Sequence, residues 1–120
     1  MKTIEQVLDE HPRLTCRGYD GNPDDDGYEA KRDEIRDATD ELDIALDFLS
    51  KCSHTDSFSE KKSEHSYHLK HMMEGNTSGF GPYKGYVSNG VAILAALMLD
   101  YKIKPLGYDD PNVLIAVKAR

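Results

Sequence analysis

The chain has 120 residues with 22 acidic and 15 basic side chains, a formal net charge of −7. That length suits one domain with a single modest core. With 38% hydrophobic and 31% charged residues, the composition argues against a fully disordered chain, and the longest apolar run, Val91 to Leu99, is far short of the roughly 20 residues a membrane-spanning helix needs. No membrane association is expected.

The charge is unevenly spread. Residues 1–50 hold 15 acids and 6 bases, a net of −9, whereas residues 51–120 hold 7 acids and 9 bases, a net of +2. Such a split points to a surface that meets a partner electrostatically. Cys16 and Cys52 form neither a CxxC pair nor a disulfide framework, and Met1-Lys2-Thr3-Ile4-Glu5 lacks the apolar stretch of a signal peptide. Cytoplasmic localisation is the expectation.

In chain order, residues 3–10 suit a short helix. Pro12, Gly18, Gly21, Pro23 and Gly27 then punctuate a stretch without periodicity, so 11–27 reads as a loop. A long helix is expected from Asp26 to about Ser50, with Asp26 as N-cap and Glu29 completing a capping box. Tyr28, Ile35, Ala38, Leu42, Ala45, Leu46 and Leu49 share its inward stripe. Ile44 and Phe48 fall on nearly the opposite side, and the expectation is that the domain wraps around them rather than leaving a patch for a partner.

Residues 53–63 read as a linker. Ser63 is the expected cap of a second helix, with Leu69, Met72 and Met73 inward and Gly75-Asn76 as its stop. The glycine-rich stretch 75–87 reads as a loop, after which Ser88 caps a third helix. Because Val91 to Leu99 is apolar on every side, that helix should be central. Tyr101, Ile103 and Pro105 alternate with Lys102 and Lys104, Gly107 to Pro111 carries turn chemistry, and Val113 to Val117 is a β-branched run. The fold class is therefore α+β in a single domain over 1–120: three main helices with a small antiparallel β-hairpin or sheet at the C-terminus.

The chemical constellations are weak. His54, His65, His68 and His71 lie close to Cys52 and carry zinc-ligating atoms. On a helix, however, His65 and His71 point about 120° apart. No HExxH or paired CxxC accompanies them, so no metal or other cofactor is expected. Asp20 to Asp26 opens like a calcium loop, but Asp25 stands where glycine is required and Lys31 where a bidentate glutamate is. Gly79 to Gly85 offers a lysine, Lys84, near the start of a helix without the GxxxxGK[ST] order of a phosphate loop. No nucleophile sits in a strained elbow. A metal-dependent enzyme is thus the third reading, behind two binding readings.

Two surfaces compete. Asp33, Asp37, Asp40, Asp43 and Asp47 project from the outer face of the long helix, interrupted mainly by Arg36. The plainer reading is a solvated face. The sharper one is a column imitating the charge of a nucleic-acid backbone, extended by Asp24 and Asp25 in the preceding loop and with Tyr28 and Phe48 as apolar anchors. Against it, helix, loop, helix and hairpin follow in the order of a winged helix-turn-helix, with Lys84, Lys102 and Lys104 among the lysines able to contact phosphates. The third helix, though, has no polar face for base edges.

In the segments Ser66-Tyr67-His68-Leu69-Lys70-His71 and Tyr86-Val87-Ser88-Asn89-Gly90, followed by Ile93, Ala95 and Pro111-Asn112, the chain resembles small proteins encoded on phages and integrative mobile elements. The resemblance spans about residues 61–115. That family carries no assigned activity, so no catalytic role passes to any residue, and what is implied is a genetic setting. The leading expectation is a non-enzymatic interaction protein that inhibits a host nucleic-acid-handling or defence protein through its acidic surface. The alternative is a small DNA-binding regulator using the basic C-terminal half.

Overall fold

The computed structural model describes residues 1–75 and 86–118. The elements in order are α1 (Ile4–Glu10), α2 (Tyr28–Asp37), α3 (Thr39–Ser50), β1 (Ser53–His54), β2 (Glu64–His65), α4 (Ser66–Glu74), α5 (Asn89–Met98), β3 (Ile103–Pro105), β4 (Val113–Ile115) and β5 (Val117–Lys118). This is an α+β fold. The expectations for Lys84 and for the glycine-rich stretch within 76–85 lie outside the described residues.

The fold is organised around α5. Every residue from Asn89 to Met98 is buried, and the helix packs on α1, α3, α4 and β4. Burying one aliphatic side chain contributes roughly 1.5–3 kcal/mol, so this apolar run is the largest single source of cohesion in the chain. Ser88 caps it as expected, its hydroxyl accepting from the Val91 amide at 3.2 Å. Leu69 and Met73 of α4 are fully buried against it.

The expected long helix is two helices. At Ala38 the backbone turns to φ −85 and ψ 55, ending α2 and starting α3. Its amide closes back on the Ile35 carbonyl, and its carbonyl accepts from Leu42 as the next helix begins. The start also differs: α2 begins at Tyr28 behind Gly27, which has φ 81 and gives no side-chain cap. Asp26 does not cap because a local turn takes its place, with Asn22 Oδ1 accepting from the Asp24 amide at 3.0 Å and the Asn22 carbonyl from Asp25 at 2.9 Å. Ile44 is fully buried and Phe48 packs partly buried on the core, so the domain does wrap α3.

Two small sheets close the other side. β4 is central in the order β2-β4-β3, and β1 pairs with β5 separately. β3 and β4 form the expected hairpin, Ile103 opposite Ile115 and Pro105 opposite Val113. Between β4 and β5 lies Ala116, which donates to Lys102 and accepts from Thr55, so one extended segment serves both sheets. The expected linker 53–63 is bracketed by strands for the same reason. Pairing of Glu64 and His65 with β4 moves the cap of α4 from Ser63 to His65, whose Nδ1 accepts from the Tyr67 amide at 3.2 Å.

Residues 11–27 contain no regular helix or strand, but they are tied down. Leu14 is fully buried, and Thr15 and Gly18 form an isolated bridge. Arg32 reaches from α2 beneath this segment, donating to the carbonyls of Leu8, His11 and Leu14 at 2.8, 3.0 and 3.2 Å. Buried in this way, the guanidinium supplies partners for carbonyls that the end of α1 leaves open.

Candidate functional site

A cleft of about 560 Å3 opens between the α2–α3 junction and the α4–α5 side of the molecule. Its lining includes Glu34, Ala38 and Glu41 on one wall, Tyr67, Lys70 and Tyr86 on the other, with Ser88, Asn89, Pro111 and Asn112 beneath. Tyr67, Lys70, Tyr86, Ser88, Asn89, Pro111 and Asn112 belong to the segments that carry the resemblance described above. Far apart in sequence, they meet in one place.

Two close backbone approaches build the floor. Gly90 lies so near the Thr15 carbonyl and Cys16 that a Cβ there would overlap both, and its amide donates to the Cys16 carbonyl at 3.1 Å. Gly18, at φ 142, similarly presses on the Pro111 carbonyl and the Asn89 side chain. Asn89 then locks three segments together: Nδ2 faces the Arg17 and Pro111 carbonyls and Asn112 Oδ1, each at 3.1 Å. Three surrounding oxygens fix the amide orientation. Among the described residues Asn89 Oδ1 has no hydrogen-bond partner, although the residue is only 8% exposed.

The walls carry charge. Lys70 is 6% exposed and pairs with Glu74 at 3.0 Å. Its Nζ stands 5.2 Å from the Tyr67 ring and 5.1 Å from the Tyr86 ring, within cation–π range of both. The rings themselves are 51% and 60% exposed. Glu41 accepts from the Ser88 amide at 2.8 Å, a carboxylate at the start of α5 where the helix dipole favours it. Glu34 lies beside Cys16, and burial first, then this carboxylate, pushes the Cys16 thiol up to about 11. With Glu74 cancelling Lys70, the lining sets Glu34 and Glu41 against Arg17.

The acidic residues named from sequence lie outside the cleft and are divided. The break at Ala38 puts Asp33 and Asp37 on α2 and Asp40, Asp43 and Asp47 on α3, so they do not form one uninterrupted column. Asp33 is held by Arg36 at 2.8 Å, which also binds Glu5, and Asp47 is held by Lys51 at 3.1 Å. Asp37, Asp40 and Asp43 are exposed and make no ion pair among the described residues. Asp24 and Asp25 are exposed as well. Tyr28 is no anchor for a partner: it is buried, its hydroxyl donating to the Pro12 carbonyl at 2.5 Å. Phe48 is half-buried.

Of the lysines, Lys104 is exposed on β3, and Lys102 pairs with Asp56 at 2.9 Å. Burial of α5 along its whole length leaves it no face for a nucleic-acid groove. The histidines are scattered in role. His65 caps α4, His68 and His71 lie 3.1 Å from Glu64 and Glu74, and His54 stacks on Tyr101 with centroids 3.8 Å apart. Among the described residues, no group of three His, Cys, Asp or Glu is placed to hold a metal ion. No helix described is long and apolar enough to cross a membrane.

Glu34 and Glu41 were not distinguishable in sequence from the other acids of the region. Because the backbone turns at Ala38 between them, no helical spacing in the sequence sets them on a common face; the junction of α2 and α3 does. No family model, curated protein or solved structure matches the chain.

Proposed function

We propose that the chain is a non-enzymatic interaction protein of a phage or mobile element. It docks by its acidic face on a basic surface of a host nucleic-acid-handling or defence protein and blocks it. The observation that carries this reading is the state of Asp37, Asp40 and Asp43: exposed, on two consecutive helices, and without an ion partner among the described residues. Carboxylates left uncompensated raise the rate of encounter with a basic partner and set its orientation. Asp24 and Asp25 extend the same charge, while Asp33 and Asp47 contribute less because Arg36 and Lys51 already hold them.

The test is affinity capture from native host lysate, treated and untreated with nuclease, using the wild-type chain and an Asp37→Lys, Asp40→Lys, Asp43→Lys variant of unchanged circular dichroism. A stoichiometric protein that survives nuclease, elutes in high salt and is lost with the variant supports the reading. Equal capture by both chains removes it. Recovery of DNA that depends on Lys102 and Lys104 would instead favour the regulator.

A further inference from the structure

The acidic face borders the cleft in the chain: Glu34 and Asp37 share α2, Asp40 and Glu41 share α3, and Ala38 of the cleft wall lies between the two helices. We infer that this cleft seats an arginine side chain from the basic segment of the partner, so that the aspartates attract and the cleft selects. The inference rests on the acidic-face reading and adds the chemistry of recognition.

Three features of the lining converge on a guanidinium. The first is acceptor excess: Glu34 and Glu41 line the cleft with carboxylates, of which only Glu41 Oε1 already accepts from a backbone amide, that of Ser88. A guanidinium brings five N–H donors in a planar fork. The second is aromatic. The rings of Tyr67 and Tyr86 already flank one cation, Lys70, and remain 51% and 60% exposed, leaving ring surface on which a planar, weakly hydrated cation stacks.

The third feature is charge. Lys70 does not repel a newcomer as a free ammonium does, because Glu74 holds it at 3.0 Å. Arg17, the other cation of the lining, is exposed and can swing its head into water. A phosphate-bearing ligand would face Glu34 and Glu41, which disfavours nucleic acid in this cleft. A lysine would supply charge without the planar fork, so arginine is preferred.

The test is a nuclear magnetic resonance titration of the isotope-labelled full chain with octa-arginine and, separately, octa-lysine. The expected result is shifts at the amides of Glu34, Ala38, Glu41, Tyr67 and Asn89 that are stronger for octa-arginine. Tyr67→Ala should weaken that binding about threefold, the value of one partly exposed cation–π contact. Tyr67→Phe should restore it, which a merely structural effect on the hydroxyl would not allow.

Shifts confined to Asp37, Asp40 and Asp43 would overturn the cleft inference while leaving the acidic face standing. No shift in either region would overturn both. Cleft shifts with an oligothymidylate but not with octa-arginine would also overturn the inference, by showing that the cleft takes an anion. Because Tyr67 is largely exposed, its variants should fold, and Glu34→Gln provides a second independent variant with the same expected weakening.

Discussion

Glu74 accepts from the Val87 amide at 3.1 Å and from Lys70 Nζ at 3.0 Å through the same oxygen, Oε2. One carboxylate thereby joins the end of α4 to the approach of α5. Burial alone would raise its pKa, but the Val87 amide, then Lys70 and His71, outweigh it and hold the carboxyl below its ordinary value. A depressed folded value means that the bond's contribution is present above the unfolded carboxylate range and is lost as pH falls through the lowered value. Denaturant unfolding of wild type and Glu74→Gln should differ by about 1–2 kcal/mol at pH 7, since a buried lysine loses its counter-charge. The difference should close in acid, and a constant difference down to the lowest pH would contradict the assignment.

Arg32 should be the most sensitive charged residue in the acidic half. Its three carbonyl partners are all backbone, and Arg32→Met strands them in a buried setting. A loss of about 2–4 kcal/mol is expected from chemical denaturation. Lysine, with one nitrogen in place of a fork, should recover only part of it.

Gly75, which caps the end of α4, and Gly90 within α5 should respond oppositely to one added methyl. Gly90→Ala forces a Cβ into the Thr15 carbonyl and Cys16 and should cost about 3 kcal/mol. Gly75 has φ −77 and ψ −13, and among the described residues a Cβ there meets only the Met72 carbonyl, at 3.4 Å. Gly75→Ala should therefore stay within about 0.5 kcal/mol of wild type or gain slightly. Thermal melts of the two variants check both.

Cys16 should be a poor nucleophile despite bordering the cleft. A rise from 9.0 to about 11 leaves about a hundredfold less thiolate at pH 8 than an ordinary cysteine has. Iodoacetamide labelling, followed by mass mapping of the Cys16 peptide, should be correspondingly slow. Glu34→Gln should accelerate it only in part, because burial is the larger cause and the carboxylate the smaller.

Much of the fold is written in local pattern. The apolar run of α5 is long enough, and apolar on enough sides, to demand the centre of the domain whatever surrounds it. Its Ser88 cap, the inward face of α4 and the β3–β4 hairpin follow from residues within one turn or one strand of each other. The break at Ala38 does not. Nothing in Asp37-Ala38-Thr39 forbids a helix, and the two halves are held by different partners, α2 through Arg32 on the Leu8, His11 and Leu14 carbonyls and α3 by packing against α5. Likewise, the cap of α4 moved from Ser63 to His65 because pairing with β4, distant in sequence, extended the chain just before the helix.

The site divides in the same way. Composition and charge alone determined that the first half is an acidic surface and that the hydrophobic run near residue 95 is core, because burial and net charge depend on what residues are and not on where the chain folds them. Which acids stay unpaired, and that Glu34 and Glu41 share a cleft with Tyr67, Lys70, Tyr86 and Asn89, was decided only by tertiary structure. Contacts at the cleft join residues far apart in the chain, 72 positions between Arg17 and Asn89, and hydrogen bonds and ion pairs depend on distances of a few ångströms that no local periodicity encodes.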